Sequence, residues 1–269
     1  MRQWTVDAFA SAPFMGNPAC VLQPLDAWPE DGWMQRLAQE NNQAETAFLR
    51  RTADPAVFDL RWFTPGVEVP LCGHATLASA HVLTTELGLT APTIRFHTKS
   101  GELVVTPKDG AYEMNFPANP PERVAVPAGL TEALGARVLE TWSAAYLVAV
   151  VADEATVRGL DPNIAALHEV SKTLGGRGDV IVAAAADAGR PYQLVSRFFA
   201  PGAGVAEDPA TGSAHCILAP LFAHKFARAS FDCFQAFPSR GGEIGVAVHG
   251  DRVILTGRAV TVAETRLRL

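Results

Sequence analysis

The chain contains itself twice. Arg61-Trp62-Phe63-Thr64-Pro65-Gly66 returns as Arg197-Phe198-Phe199-Ala200-Pro201-Gly202 at an offset of 136 residues. Carried onward unchanged, that offset sets Cys72 against Asp208, Thr76 against Gly212 and Ala78 against Ala214. A second echo, Gly101-Glu102-Leu103 with Gly242-Glu243-Ile244, stands at an offset of 141, which implies a five-residue insertion between the two. Each is followed by a turn, Asp109-Gly110 and Gly250-Asp251, and then a strand-like run. Collinear self-similarity constrains topology more than any single motif does. It predicts two structurally similar halves.

Composition agrees with a folded chain of that size. Of 269 residues, 48% are hydrophobic and 19% charged, which excludes a disordered or coiled-coil chain. The net charge of −6 argues against the basic face that nucleic acid requires. Cys20, Cys72, Cys216 and Cys233 form no Cys-x-x-Cys pair or zinc-finger spacing, and they read as reduced thiols of a cytoplasmic protein. The opening Met1–Phe9 lacks the apolar run of a signal peptide and reads as a strand. No stretch approaches the ~18 apolar residues of a membrane span.

Within each half, short apolar runs bounded by Gly, Pro and Asp predict strands. They are Ala44–Arg50, Asp59–Phe63, Thr93–His97, Glu102–Thr106 and Tyr112–Phe116, then Val180–Ala185, Tyr192–Phe199, Ile244–Val248 and Val253–Thr256. Ala75–Leu87 and Ser213–Phe226 are rich in Ala, Leu and small residues, and predict one helix per half. Being apolar nearly all round, each helix should lie buried inside its own curled sheet. Phe116–Pro127, with four prolines, reads as the linker. The halves are therefore 1–118, to which the last C-terminal residues can return, and 119–269.

Two Gly-containing loops open onto the two helices: Pro70-Leu71-Cys72-Gly73-His74-Ala75-Thr76 and Glu207-Asp208-Pro209-Ala210-Thr211-Gly212-Ser213. A helix start presents unpaired N–H groups and a partial positive charge, and a glycine lets a ligand reach them. The alternative is that these residues only shape turns and cap helices. Glu45 has no acidic match in the second half, since the offset pairs it with Ile181. Flanked by Ala44, Ala47 and Phe48, its carboxyl is either partly desolvated, which suits proton transfer, or a solvated strand-end acid.

Asn42-Gln43-Ala44-Glu45-Thr46-Ala47-Phe48, Arg61-Trp62-Phe63-Thr64-Pro65, Cys72-Gly73-His74-Ala75-Thr76 and Asp208-Pro209-Ala210-Thr211-Gly212-Ser213 resemble the PhzF family of phenazine-biosynthesis isomerases. The resemblance runs from Val6-Asp7-Ala8-Phe9 and Gly16-Asn17-Pro18 almost to the C-terminus. It implies an α+β, diaminopimelate epimerase-like fold: two pseudo-symmetric halves, each a curled sheet or barrel around a central helix, with the active site between them. It also implies a cofactor-independent proton shift or epimerisation on a small carboxylate-bearing substrate, without metal, and allows a homodimer. Glu45 would be the general acid/base, with His74 and Asp208 also catalytic. Gly73, Gly212, Ser213 and Cys72 would line the substrate pocket. The epimerase relatives carry one thiol on each loop, whereas here the offset puts Asp208 in the second place, which argues against a two-thiol racemase.

Other readings follow from the same residues. A hydrolase would use Cys72 with His74, or Ser213 with His215 and Asp208, and needs nucleophile, base and orienter to converge. A binding protein on the same fold would keep the architecture without the chemistry. Gly202-Ala203-Gly204 does not continue as a dinucleotide fingerprint, and His74 with His81 lacks a third metal ligand at sensible spacing.

Overall fold

The computed structural model describes residues 1–173 and 176–268. The chain separates into two compact units, Met1–Asn115 with Thr256–Leu269, and Phe116–Leu255. In chain order the first unit holds β1 (Arg2–Ala8), β2 (Asn17–Leu22), α1 (Asp31–Asn41), β3 (Glu45–Arg51), β4 (Val57–Phe63) and β5 (Glu68–Val69). Next comes α2 (Gly73–His81), which runs into a π-helical turn at Val82–Glu86. β6 (Ile94–Thr98), β7 (Gly101–Lys108) and β8 (Ala111–Pro117) follow.

The second unit begins with β9 (Glu122–Val124), α3 (Leu130–Leu134), β10 (Glu140–Ser143), β11 (Leu147–Val150), α4 (Glu154–Arg158) and α5 (Ile164–Lys172). It continues with β12 (Val180–Ala185), β13 (Leu194–Phe199), a 3₁₀ turn at Pro201–Ala203, α6 (Gly212–Phe226), β14 (Ser230–Gln235) and β15 (Gly242–His249). After β16 (Arg252–Gly257), β17 (Ala259–Arg266) returns to pair antiparallel with β1.

The repeat is visible in the ladders. β1–β2 is antiparallel, β2–β3 parallel, β3–β4 antiparallel, β4–β6 parallel and β6–β7 antiparallel. The second unit repeats that alternation from β10–β11 through β11–β12, β12–β13 and β13–β14 to β14–β15. The parallel steps are the places where a strand must cross over before pairing, and in each unit the second crossover carries the long buried helix. Each sheet is curled, not closed.

α2 packs against β1, β2, β3, β7 and β17, and every residue from His74 to His81 is buried. Its small side chains make that enclosure feasible. Ser79 and Thr76 donate their hydroxyls to carbonyls one turn back, Ala75 and Cys72, so the helix surface carries no unpaired hydroxyl there. Gly257 lets a strand approach this packing closely, since a Cβ there would stand 2.4 Å from Phe9 Cδ1 and 2.8 Å from Leu77 Cδ1. α6 is buried in the same way through Gly212, Ala214–Ala219, Leu221 and Phe222.

Three features depart from the sequence expectations. The helix expected over 75–87 is regular only to His81 and then widens by one residue per turn. The Pro-rich 116–127 is not merely a linker, because β9 lies in its middle and pairs with β10. Helix α1 was not anticipated, although Met34, Leu37 and Ala38 pack at helical spacing against Leu22, Phe48 and Phe63. Among the described residues no helix is long and apolar enough to cross a membrane.

The loop joining β1 and β2 is tightly determined. Gly16 has φ +63°, and a Cβ on it would fall 2.1 Å from the Ala8 carbonyl oxygen. Gly16→Ala should therefore cost about 2–3 kcal/mol or more, combining a left-handed conformation with a backbone clash. Urea unfolding checks this, and a change under about 0.5 kcal/mol would show that the loop can relax.

Candidate active site

In the first unit, the start of β3 meets the start of α2. Glu45, the first residue of β3, is laddered to Ala19 on β2 and points a carboxylate at the helix N-terminus. Its Oε2 lies 2.9 Å from His74 Nε2. The approach is a close ion contact rather than an aligned hydrogen bond. The opposite ring nitrogen, Nδ1, lies 3.5 Å from Cys72 Sγ and 3.3 Å from the Asn17 side-chain amide. Cys72 is the extended cap residue of α2, and its side chain makes no capping hydrogen bond. His74 is thus approached at one ring nitrogen by Glu45 and at the other by Cys72 and Asn17.

Those contacts set the charges. Burial opposes the imidazolium, but the adjacent Cys72 and Glu45, by charge and by hydrogen bonding, outweigh it and hold His74 well above its ordinary 6.5. Burial pushes the Cys72 thiol up, and the Glu45 charge pushes it further the same way. Glu45, Cys72 and His74 are also the one group of three metal-ligating side chains among the described residues, with ligand atoms within 4.8 Å. The donor types suit zinc, although the thiol and the carboxylate approach different ring nitrogens.

In the second unit, Asp208 sits on a turn bridged to β13, its N–H donating to the Phe198 carbonyl at 3.0 Å. Arg197 locks the preceding Glu207 bidentately at 2.7 Å twice, while its remaining arm reaches the Leu160 carbonyl at 2.6 Å. The Thr211 hydroxyl donates to Asp208 Oδ2 in a short contact. Gly212 is the first residue of α6, and Ser213 beside it is exposed, with its Oγ 3.1 Å from the Tyr146 hydroxyl.

The two loops correspond, with a correction. Arg61 grips Glu68 just as Arg197 grips Glu207, and both helices begin Pro-x-(Cys/Thr)-Gly, at Pro70 and at Pro209. The offset here is 139, so three residues enter between the echo at Gly66 and the glutamates. Cys72 therefore matches Thr211, the cap of α6, and not Asp208. Glu45 also has a match after all. Thr46 pairs with Phe63 and Val180 with Phe199, so the ladders align Glu45 with Asp179 rather than Ile181. Asp179 is buried, which raises its carboxyl, and it accepts the Gly202 N–H at 2.8 Å to hold the 3₁₀ turn.

The Ser213–His215–Asp208 line does not assemble as a nucleophile-and-base pair. His215 is fully buried, Nδ1 lies 2.8 Å from the Thr211 carbonyl, and burial pushes the ring down to about 4. His81 lies at the far end of α2, with Nε2 3.1 Å from Thr261 Oγ1 and Nδ1 3.2 Å from the Tyr112 hydroxyl. All four cysteines are free and buried. Asn17, Thr211 and Tyr146 contact the proposed residues and escaped the sequence reading. Only Thr211 had a readable signal, the repeated Pro-x-x-Gly.

A raised histidine carries a pH signature. The His74 ion pair contributes stability fully below about pH 6.5, and that contribution is lost as pH rises through the folded-state value. Nitrogen-detected NMR of the imidazole should show a midpoint above 6.5, and Glu45→Gln should lower it. An unchanged midpoint in the variant would detach Glu45 from the pair.

Comparison with known proteins gives these observations a setting. The family model described as phenazine biosynthesis-like protein matches residues 6–265. An uncharacterized isomerase of Pseudomonas aeruginosa is 46% identical over 268 residues, covering 98% of this chain and 97% of its own. A crystal structure of a PhzF-family phenazine biosynthesis protein from Enterococcus faecalis superposes with a TM-score of 0.93 at 37% identity, over 100% of this chain and 99% of that one. A probable proline racemase of Agrobacterium radiobacter shares the fold alone, with a TM-score of 0.62 at 16% identity, over 100% and 93%. The chain belongs to the phenazine biosynthesis-like, PhzC-PhzF, family.

Proposed function

We propose that this protein is an isomerase that relocates a proton on a small carboxylate-bearing molecule without a cofactor. The observation that carries the reading is the buried Glu45–His74 contact of 2.9 Å at the start of a helix. Glu45 takes a proton from carbon, becomes the neutral acid, and returns the proton to another carbon or to the other face. No electron is gained or lost. The negative charge that develops on the substrate is met by a cationic His74 and by the first-turn N–H groups of α2 at Gly73. Asp208 and Ser213 are assigned to binding and orienting the substrate. The isomerase and racemase names of similar proteins support the reaction class.

One observation favours a second reading. Cys72, His74 and Glu45 stand in the order nucleophile, base, orienter that a thiol hydrolase uses. The electrostatics run against it. A nucleophilic thiol needs a lowered pKa, whereas burial and the Glu45 charge raise that of Cys72.

Proton NMR in D₂O with a panel of cyclic and β,γ-unsaturated amino and hydroxy acids distinguishes the readings. Wild type should place deuterium at one carbon, and Glu45→Gln should abolish this while still unfolding cooperatively as a folded protein. His74→Ala and Asp208→Asn should each lose ~10²-fold or more, and prior dialysis against EDTA should change nothing. Full exchange by Glu45→Gln sinks the acid/base assignment. Cys72→Ser should retain most of the exchange, and an inactive but folded Cys72→Ser would revive the thiol mechanism.

A further inference from the structure

Gln235 ends β14 with its side chain 1% exposed, and the chemistry proposed above gives it no task. All of its polar atoms are spent on the Asp208 turn. Its Nε2 donates to the Asp208 carbonyl at 2.6 Å and to Thr211 Oγ1 at 3.1 Å, and its Oε1 accepts the Thr211 N–H at 2.9 Å. The amide orientation is forced. Turned over, it would set oxygen against the Asp208 carbonyl and NH₂ against the Thr211 N–H.

A hydroxyl has a single proton. Because Thr211 Oγ1 accepts from Gln235, its own proton is left for Asp208 Oδ2, where the structure places it. The bonds therefore run one way, from Gln235 N–H through Thr211 O–H to the Asp208 carboxylate. The same amide fixes the backbone at both ends of the segment 208–211.

This arrangement goes with the acid and not with the fold. Ser196 on β13 pairs with Gln235, and Leu60 is the equivalent of Ser196. β4 pairs with β6 as Asp59↔His97, so one step on the equivalent of Gln235 is Thr98. Thr98 spends its hydroxyl on the local turn, donating to the Gly101 carbonyl at 2.7 Å. The first-unit loop is tied differently, by Ser100 Oγ to the Pro70 carbonyl at 2.8 Å. The strand position that holds the Gln235 amide in the second unit holds no amide in the first.

We propose that Gln235 and Thr211 are positioning residues that hold the Asp208 carboxylate in one orientation and in its ionised form for the reaction. The proposal rests on the assignment of Asp208 to the site, so its test begins with a readout that needs no substrate. Carbon-13 NMR follows the Asp208 carboxyl, assigned by its loss in Asp208→Asn, through an acid titration of the full chain. Thr211→Val removes the donated proton and should move the Asp208 midpoint to higher pH; Thr211→Ser keeps the hydroxyl and should restore it. Gln235→Leu should act in the same direction. If that variant does not fold, the Thr211 pair decides. With whichever panel acid exchanges deuterium, Thr211→Val should lower kcat about tenfold to a hundredfold with little change in KM, and shift the acid limb of the pH profile upward. Thr211→Ser should stay near wild type. Identical Asp208 titrations in wild type and Thr211→Val would overturn the proposal. A shifted titration with no exchange in any panel acid would uphold the relay and count instead against the isomerase reading.

Discussion

A helix buried on every side can leave its sheet only at its ends, and the candidate site depends on that constraint. α2 is enclosed by five strands, so its polar side chains must either bond to its own backbone or meet something brought to the helix terminus. Thr76 and Ser79 take the first course. His74 takes the second, and Glu45, Cys72 and Asn17 are what the surrounding strands and loop bring. The helix start also presents N–H groups without a side-chain cap, because Cys72 turns its sulfur to the ring instead.

Desolvation and charge then compete at His74, and the competition decides the chemistry. A histidine buried among apolar neighbours loses its proton, as His215 does when pushed down to about 4. His74 is as enclosed, yet the Glu45 carboxylate and the Cys72 sulfur on either edge reverse the outcome. The same carboxylate makes the thiol a poorer acid. One negative group thus favours the protonated form of the imidazole and raises the thiol.

Much of this was legible in the sequence, and the failures have physical causes. The echo around Arg61 and Arg197 located the repeat because that strand pairs on both sides and carries near its end an arginine held by a half-buried carboxylate, so little can vary there. The central helices were legible from their small, apolar composition. Extrapolating the offset past Gly66 failed because loops accept insertions that ladders do not, and three residues separate the copies before the next anchored pair. Glu45 was set against Ile181 for the same reason, since the connection between β3 and β4 differs in length from that between β12 and β13. Asn17 and Gln235 could not be found by pattern. Each is a single polar residue at a strand end, whose partners lie 57 and 24 to 27 residues away.

The corrected alignment makes the functional asymmetry sharper. Equivalent positions hold Cys72 and Thr211 as helix caps, His74 and Ser213 one step into the helix, and Glu45 and Asp179 on the flanking strand. In the first unit the strand carboxylate meets the helix residue, whereas in the second Asp179 is committed to the backbone of the 3₁₀ turn. The second unit carries its other acid, Asp208, at the position of Val69, on a single bridge to Phe198 rather than within a longer ladder like that of Glu45. Arg197–Glu207 on one flank and Gln235 and Thr211 on the other also hold it. Duplicated frames can diverge in chemistry where one copy keeps its acid on the flanking strand and the other sets one beside the helix start, held there by buried polar groups.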